Sequence, residues 1–456
     1  MPRAIRCYRN IYMKKIYFLS LVLFTLLSAC QKDENDPAPG QRPDERLAKA
    51  LADYKAQLTG APYGWKAMLT TGEDRKYSFF LKFNENDRVS MSADVSSSSA
   101  GVPTESTYRL KGMQQPALIF DTYSPLHLLA DPDPEVLFNL NGQEGTEGQG
   151  MFSDFEFTID SVNTSAIRLT GNLQQSQMIL VQATQEEFNA YNAGKLKTIL
   201  DETSAYSKAN PFLFLPAPNG NKLQVDINAT NRTFSLVSLE NGNVQIISTT
   251  FTYTLRGLLF DPPLVLNGTT ISELLWDSAQ QVYYAEINGN RVVVQSSPTA
   301  IIPLHNFVGV TFNTVAVPPQ ALPGWSPDFT SKQQQIATAL LNSNYNLRLD
   351  YMLFLFNPQS RSMQLYAAVY QGNNLFYAIF PYTYTKTADG VYKFSAQTPN
   401  GNGQLVVQEM SPILTHLNND RFVLDYFQDP NEGTLGQMKS IENPDFYFTG
   451  TLETLQ

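Results

Sequence analysis

The chain has 456 residues, more than one ordinary core can serve, because single hydrophobic cores stop growing at roughly 250 to 300 residues. Its 43% hydrophobic content supports packed modules, and 28 Phe with 23 Tyr favour pleated, half-buried surfaces over long helices. A net charge of -10 with no basic stripe excludes the phosphate-neutralising footprint of a nucleic-acid binder, and nucleic acid is not expected as a partner.

Residues 1–12 hold three arginines and Cys7 ahead of a more convincing start at Met13, so they are expected to be an over-extended start. From Met13 come Lys14 and Lys15, an apolar run from Tyr17 to Leu27, and Leu27-Ser28-Ala29-Cys30. That is a basic n-region, an h-region too short to span a bilayer stably, and small residues before a cleavage point: a signal peptide over 13–29. The last four residues resemble the lipobox of bacterial lipoproteins, which implies lipidation at Cys30 and an outer-membrane anchor. The acidic cluster from Gln31 to Asp36 resembles the export signal of Bacteroidetes lipoproteins displayed on the cell surface; charges that merely solvate a tether are the alternative. Residues 30–43 read as a flexible acidic spacer. With Cys7 and Cys30 both ahead of the body, neither a disulfide nor a Cys-based zinc site is expected in the mature chain. His127, His305 and His416 lie far apart without HExxH spacing, so no metal or other cofactor is expected.

Pro43-Asp44-Glu45-Arg46 opens an amphipathic helix with Leu47, Leu51, Tyr54 and Leu58 on one face and Gly60 as a stop, its stripe expected to cover a sheet. After Gly64-Trp65 the period becomes twofold. Tyr77, Phe79, Leu81 and Phe83 alternate with residues of the other face, Asn84-Glu85-Asn86-Asp87 turns the chain, and Val89, Met91 and Ala93 alternate again. A similar hairpin recurs at Thr233–Leu236 and Val244–Ile246. Tyr108-Arg109-Leu110-Lys111-Gly112 with Leu118-Ile119-Phe120-Asp121 likewise echoes Tyr253-Thr254-Leu255-Arg256-Gly257 with Leu258-Leu259-Phe260-Asp261. A weaker third copy starts at Leu353–Asn357, resumes at Met363–Tyr366, and includes Phe422-Val423-Leu424-Asp425. Thr184-x-x-Glu187 is a capping box opening a helix toward Ala205, and a further helix follows Ser326-Pro327-Asp328. The expected fold is mainly β: two or three tandem antiparallel meander modules, barrel- or sandwich-like, with a few covering helices. The first module with its N-terminal helix occupies 44–183, a linking helix and the second 184–324, and the third 325–456.

Three passages carry a family resemblance: Arg42-Pro43-Asp44-Glu45-Arg46 with Tyr63-Gly64-Trp65, the run from Phe120 to His127, and Ser153-Asp154-Phe155-Glu156-Phe157. Together they resemble a family of Bacteroidetes surface lipoproteins catalogued as a domain of unknown function, DUF4302. The likeness is good over roughly residues 40 to 185 and looser beyond. The family pattern has Gly where this chain has Ser153, so a turn needing positive φ must form differently here. The resemblance implies a place beside a SusC/SusD-type importer and a glycan or peptide ligand, and supplies no catalytic residues.

Asp121, His127 and Asp131, with Asp133 and Glu135 following, have the chemistry of a ligand or cation site; Pro125, Pro132 and Pro134 equally suit a solvated loop whose charges cap turns. Asp154 and Glu156, two apart, would share a strand face as paired carboxylates, with Phe155 and Phe157 turned inward. Trp65, Trp276 and Trp325 serve either as sugar-stacking platforms or as core. Asp160-Ser161-Val162 and Asp277-Ser278-Ala279 resemble bacterial O-glycosylation acceptors at Ser161 and Ser278. No GxSxG, GxxxxGK[ST] or GxGxxG motif occurs, which weighs against standard hydrolase, nucleotide and dinucleotide chemistry. The expected function is a non-enzymatic surface lipoprotein assisting nutrient uptake, with an unrecognised carboxylate hydrolase or a structural, adhesive envelope protein as alternatives.

Overall fold

The computed structural model describes residues 42–163, 166–217, 220–266 and 268–455, so the leader, Cys30 and the tether lie outside the described residues. The chain divides into two compact units, one up to Ala56 and one from Gln57 onward. Helix α1 (Pro43–Gly60) opens with Asp44 and Glu45 in its first turn, where carboxylates meet the positive end of the helix dipole.

Within the larger unit, β1 (Trp65–Thr70), β2 (Lys76–Phe83), β3 (Arg88–Ala93), β4 (Thr104–Gly112), β5 (Pro116–Phe120), β6 (Glu156–Val162), β7 (Ala166–Gly171) and β8 (Gln177–Gln182) form an up-and-down barrel. It closes where β1 pairs antiparallel with β8, from Trp65 opposite Gln182 to Thr70 opposite Gln177. Alternation decides the inside: Ala67, Leu69, Tyr77, Phe79, Leu81 and Val89 are all buried and fill the barrel. Strand β2 is buried on its outer face too, because Phe80 stacks on Tyr191 at 4.6 Å. Short helices α2 (Pro125–Ala130) and α3 (Pro134–Asn141) interrupt the meander between β5 and β6.

The capping box forms as the sequence indicates: Thr184 Oγ1 accepts from the Glu187 amide at 3.2 Å, and Glu187 Oε2 accepts from the Thr184 amide at 2.9 Å. The helix does not run on unbroken. It splits into α4 (Gln185–Asn192) and α5 (Lys195–Ala209) at Gly194, whose φ of 71° lies outside helical geometry.

The second module is a meander of β9 (Leu213–Pro216), β10 (Lys222–Asn228), β11 (Thr233–Glu240), β12 (Asn243–Thr254), β13 (Gly257–Leu266), β14 (Thr269–Asp277), β15 (Val282–Ile287) and β16 (Asn290–Val293), with β17 (Gln295–Ser296) beside β9. Strands β16 and β17 are one run broken only at Val294, whose amide donates to Tyr283 O. Its first half pairs with β15 and its second half with β9, so this sheet also curls back on itself. The third module closes fully: β18 (Thr314–Val317), β19 (Arg348–Asn357), β20 (Ser362–Gln371), β21 (Asn374–Lys386), β22 (Val391–Ala396), β23 (Arg421–Asp429), β24 (Gly433–Ser440) and β25 (Tyr447–Glu453). Helix α6 (Pro327–Asn342) follows β18, capped by Ser326 Oγ accepting from the Phe329 amide at 3.0 Å. Helices α7 (Gly401–Leu405) and α8 (Ser411–Asn419) lie between the fifth and sixth strands, as α2 and α3 do in the first barrel.

The echoed segment Tyr108–Gly112 ends a fourth strand, whereas Tyr253–Gly257 runs from the end of a fourth strand across the turn into the fifth, and the Leu118 and Leu258 segments both lie in a fifth. The hairpin echo is out of step. Tyr77–Ala93 supplies strands two and three of its barrel, whereas Thr233–Ile246 supplies strands three and four. Phe422–Asp425 lies in a sixth strand rather than a fifth. Twofold alternation marks a strand but not its place in a meander.

A buried ion pair joins the first two barrels. Arg232, at the β10–β11 turn, reaches Asp94 Oδ2 with Nη1 at 2.6 Å, and its Nη2 donates to Asp94 O. Asp94 also accepts from the amides of Ser78 at 2.8 Å and Tyr253 at 3.0 Å, one from each barrel. The guanidinium lies 4.3 Å over the Tyr77 ring. Burial pushes the Asp94 carboxyl up, and Arg232 with the two amides opposes that push. Three donors converging on the buried carboxylate, one of them a guanidinium, argue that it keeps its charge. Arg232→Ala is expected to cost about 3 to 5 kcal/mol by stranding Asp94, whereas Lys76→Ala, which removes the half-exposed ion pair to Asp261, should cost under about 1 kcal/mol. Urea unfolding followed by tryptophan fluorescence separates the two, and equal losses would contradict this assignment.

Candidate functional site

Most carboxylates that look chemically available in the sequence are engaged in holding local structure. Asp154 is buried ahead of β6, and its oxygens accept from the amides of Leu173 at 2.8 Å and Gln174 at 3.0 Å and from Ser176 Oγ at 2.7 Å. It therefore shares no solvent-facing strand surface with Glu156. Phe155 is also placed opposite to expectation: it points outward and stacks on His127 at 4.4 Å, while Phe157 is buried. The positive φ expected at the Gly-to-Ser153 position falls one residue earlier, on Phe152 at 54°.

Asp121 pairs with Arg109 at 3.1 Å, Asp131 accepts from the Tyr123 hydroxyl at 2.6 Å, and His127 Nδ1 lies 3.0 Å from Ser124 Oγ. Asp133 caps α3 through the Glu135 amide. Each of the three predicted site residues thus has its own partner, and among the described residues no group of three His, Cys, Asp or Glu is gathered to hold a metal ion. Ser161 and Ser278 are both exposed. The three tryptophans act as packing elements with a tethered indole N–H: Trp65 donates to Leu58 O at 2.9 Å, Trp276 to Glu202, and Trp325 to Thr449 O at 2.9 Å.

The arrangement with open chemistry lies between the second and third barrels, in a cleft of about 420 Å³. Its first wall is the outer face of β10, β11 and β12, where register sets two rows: Asp226, Ser235 and Ser248, then Gln224, Val237 and Ile246. Inward neighbours Val225 and Leu236 fill the barrel and hold these side chains outward. The opposite wall is Tyr426 and Gln428 of β23, Thr434 of β24 and Leu452 of β25, with Leu304, Phe307 and Phe312 from the connector. Gln224 Oε1 accepts from the Ile302 amide at 3.2 Å, the Tyr426 hydroxyl donates to Ile302 O at 3.3 Å, and Phe212 meets Tyr426 edge-on at 5.4 Å. These contacts fix the two walls to one connector.

Asp226 has no hydrogen-bond or ion-pair partner among the described residues. Its side chain is exposed to solvent at the cleft, and the protein on either side partly desolvates it, which pushes its carboxyl above the ordinary value. A second cleft, of about 460 Å³, lies between the first two barrels, but its charges are already paired as Lys66–Glu187 and Arg256–Glu273.

Residues 36–278 match the profile of a family described as Domain of unknown function (DUF4302). The chain belongs to this family. The DUF4302 segment takes in the whole first barrel and the second through β14, so only one wall of the cleft lies inside it. No curated protein matches the chain.

Sequence reasoning missed Asp226, Gln224 and Tyr426. The alternation Leu223, Val225, Ile227 places Gln224 and Asp226 outward, but nothing local distinguishes them from any solvent-facing pair. Two histidines give a pH test. Burial lowers both His127 and His305 below the ordinary 6.5, so the folded chain holds fewer protons on them than the unfolded chain does. Their contribution is complete above that value and declines as pH falls through it. Thermal melts should therefore fall between pH 7 and pH 5 (about two units around the imidazole range), and the His127→Gln, His305→Gln double variant should show a flatter profile; an unchanged slope would refute the assignment.

Proposed function

We propose that this DUF4302 chain is a lipid-anchored protein of the outer-membrane surface that captures a glycan or peptide in the cleft between its second and third barrels, as an accessory to a SusC/SusD-type importer. The anchor reading is supported by the leader and Leu27-Ser28-Ala29-Cys30. The observation that carries the binding reading is the cleft itself, with one uncommitted carboxylate between two walls fixed by Gln224, Tyr426 and Ile302. Binding is favoured over hydrolysis because Asp154 and Asp131 already accept hydrogen bonds from neighbours and Asp121 is ion-paired.

In the native host, a clickable palmitate analogue should label the wild-type chain and not Cys30→Ser, and protease added to intact cells should cleave only the labelled form. Ser248→Trp should fill the cleft and reduce ligand capture at least about tenfold, roughly 1.4 kcal/mol, without lowering the melting temperature. Capture that survives Ser248→Trp would overturn the placement of the site.

A further inference from the structure

Resting on the cleft being the binding site, we infer that its ligand carries a positive charge, an ammonium or guanidinium. Several neutral polar groups around the cleft are already paired: Ser235 Oγ with Ser248 Oγ at 2.8 Å, Thr434 Oγ1 with Gln428 Oε1 at 3.0 Å, and Gln224 Oε1 with the Ile302 amide. Asp226 is the charged group of the lining, and among the described residues it has no hydrogen-bond or ion-pair partner. A neutral polyol would have to break those pairs and would leave the carboxylate uncompensated, whereas a cation completes the one group that lacks a counterpart.

Among the described residues, no Lys or Arg lines the cleft. The two nearest to Asp226 along the chain are turned elsewhere. Lys222, on the same face of β10, holds its ammonium 4.4 Å over the Phe214 ring, and Arg232 is buried against Asp94. Asp425, next to Tyr426 in the chain but outside the cleft lining, lies near enough to act electrostatically on Tyr426 and on His305. The field in the cleft is therefore negative, and the desolvation that raises the Asp226 carboxyl also strengthens its attraction for an entering cation. Phe212, Phe307, Phe312, Tyr426 and Ile246 supply ring faces and apolar surface for a methylene stem.

Isothermal titration of the full mature chain with three pairs of probes tests this: a blocked lysine against its Nε-acetyl form, agmatine against butylurea, and a glucosamine disaccharide against its N-acetylated form. In at least one pair the cation should bind ten or more times tighter than its neutral counterpart, and the pair that does so identifies the source of the charge. Asp226→Asn should remove that preference and Asp226→Glu should retain part of it. Because the native carboxylate is uncompensated, Asp226→Asn should melt no lower than the wild type, which separates loss of binding from loss of fold. Equal affinity within all three pairs, or a cation preference that persists in Asp226→Asn, overturns the inference. A neutral ligand blocked by Ser248→Trp but indifferent to Asp226 overturns the charge preference and leaves the cleft as the site; failure of every probe and of Ser248→Trp to alter capture overturns both.

Discussion

The buried pair of Arg232 and Asp94 fixes more than the contact between two barrels. Arg232 lies at the turn that joins β10 to β11, and these strands form the wall on which Asp226 and Ser235 stand. The same Asp94 carboxylate accepts from Tyr253, where β12 nears its end. One desolvated charge pair thus sets the position of three adjacent strands of the second barrel against the first. A buried pair of this kind is a poor source of net stability, but it penalises every arrangement that separates the partners, and so it selects one geometry.

Closed eight-stranded barrels are filled by their own side chains, as Phe79, Leu81, Phe354 and Phe394 show in the first and third modules, and Phe234 and Phe260 fill the curled nine-stranded sheet between them. Ligand chemistry is therefore displaced to the seams, where outer faces meet and alternation no longer assigns outward residues to bulk water. Two seams exist, and they differ in electrostatics rather than size. Between the first and second barrels the charges have found one another. Between the second and third, the connector residues hold the walls together through neutral hydrogen bonds and leave the Asp226 carboxylate unpaired.

Membership of DUF4302 bears on that contrast. The matched segment ends at residue 278, before any residue of the third barrel, so Tyr426, Gln428 and Thr434 belong to a part of the chain outside the family match. A shared wall facing a wall that lies outside the match is an arrangement in which ligand choice can differ while the carrying fold stays the same.

Much of the fold was legible in local pattern. The α1 boundaries, the capping box at Thr184, the Ser326 start, the strand alternation of Tyr77 to Phe83 and the resemblance to the family were all readable because each depends on neighbours a few residues apart. The break at Gly194, the outward turn of Phe155 and the burial of Asp154 were not, since each follows from what a distant segment presents. The sequence by itself determined that the chain is built of antiparallel β-modules with short covering helices, because periodicity and capping are local and additive. Only the tertiary structure decided that the first and third meanders close into barrels while the second curls back on itself, that Arg232 meets Asp94, and that Asp226 and Tyr426 line one cleft, because strand closure and charge pairing depend on contacts between residues far apart along the chain.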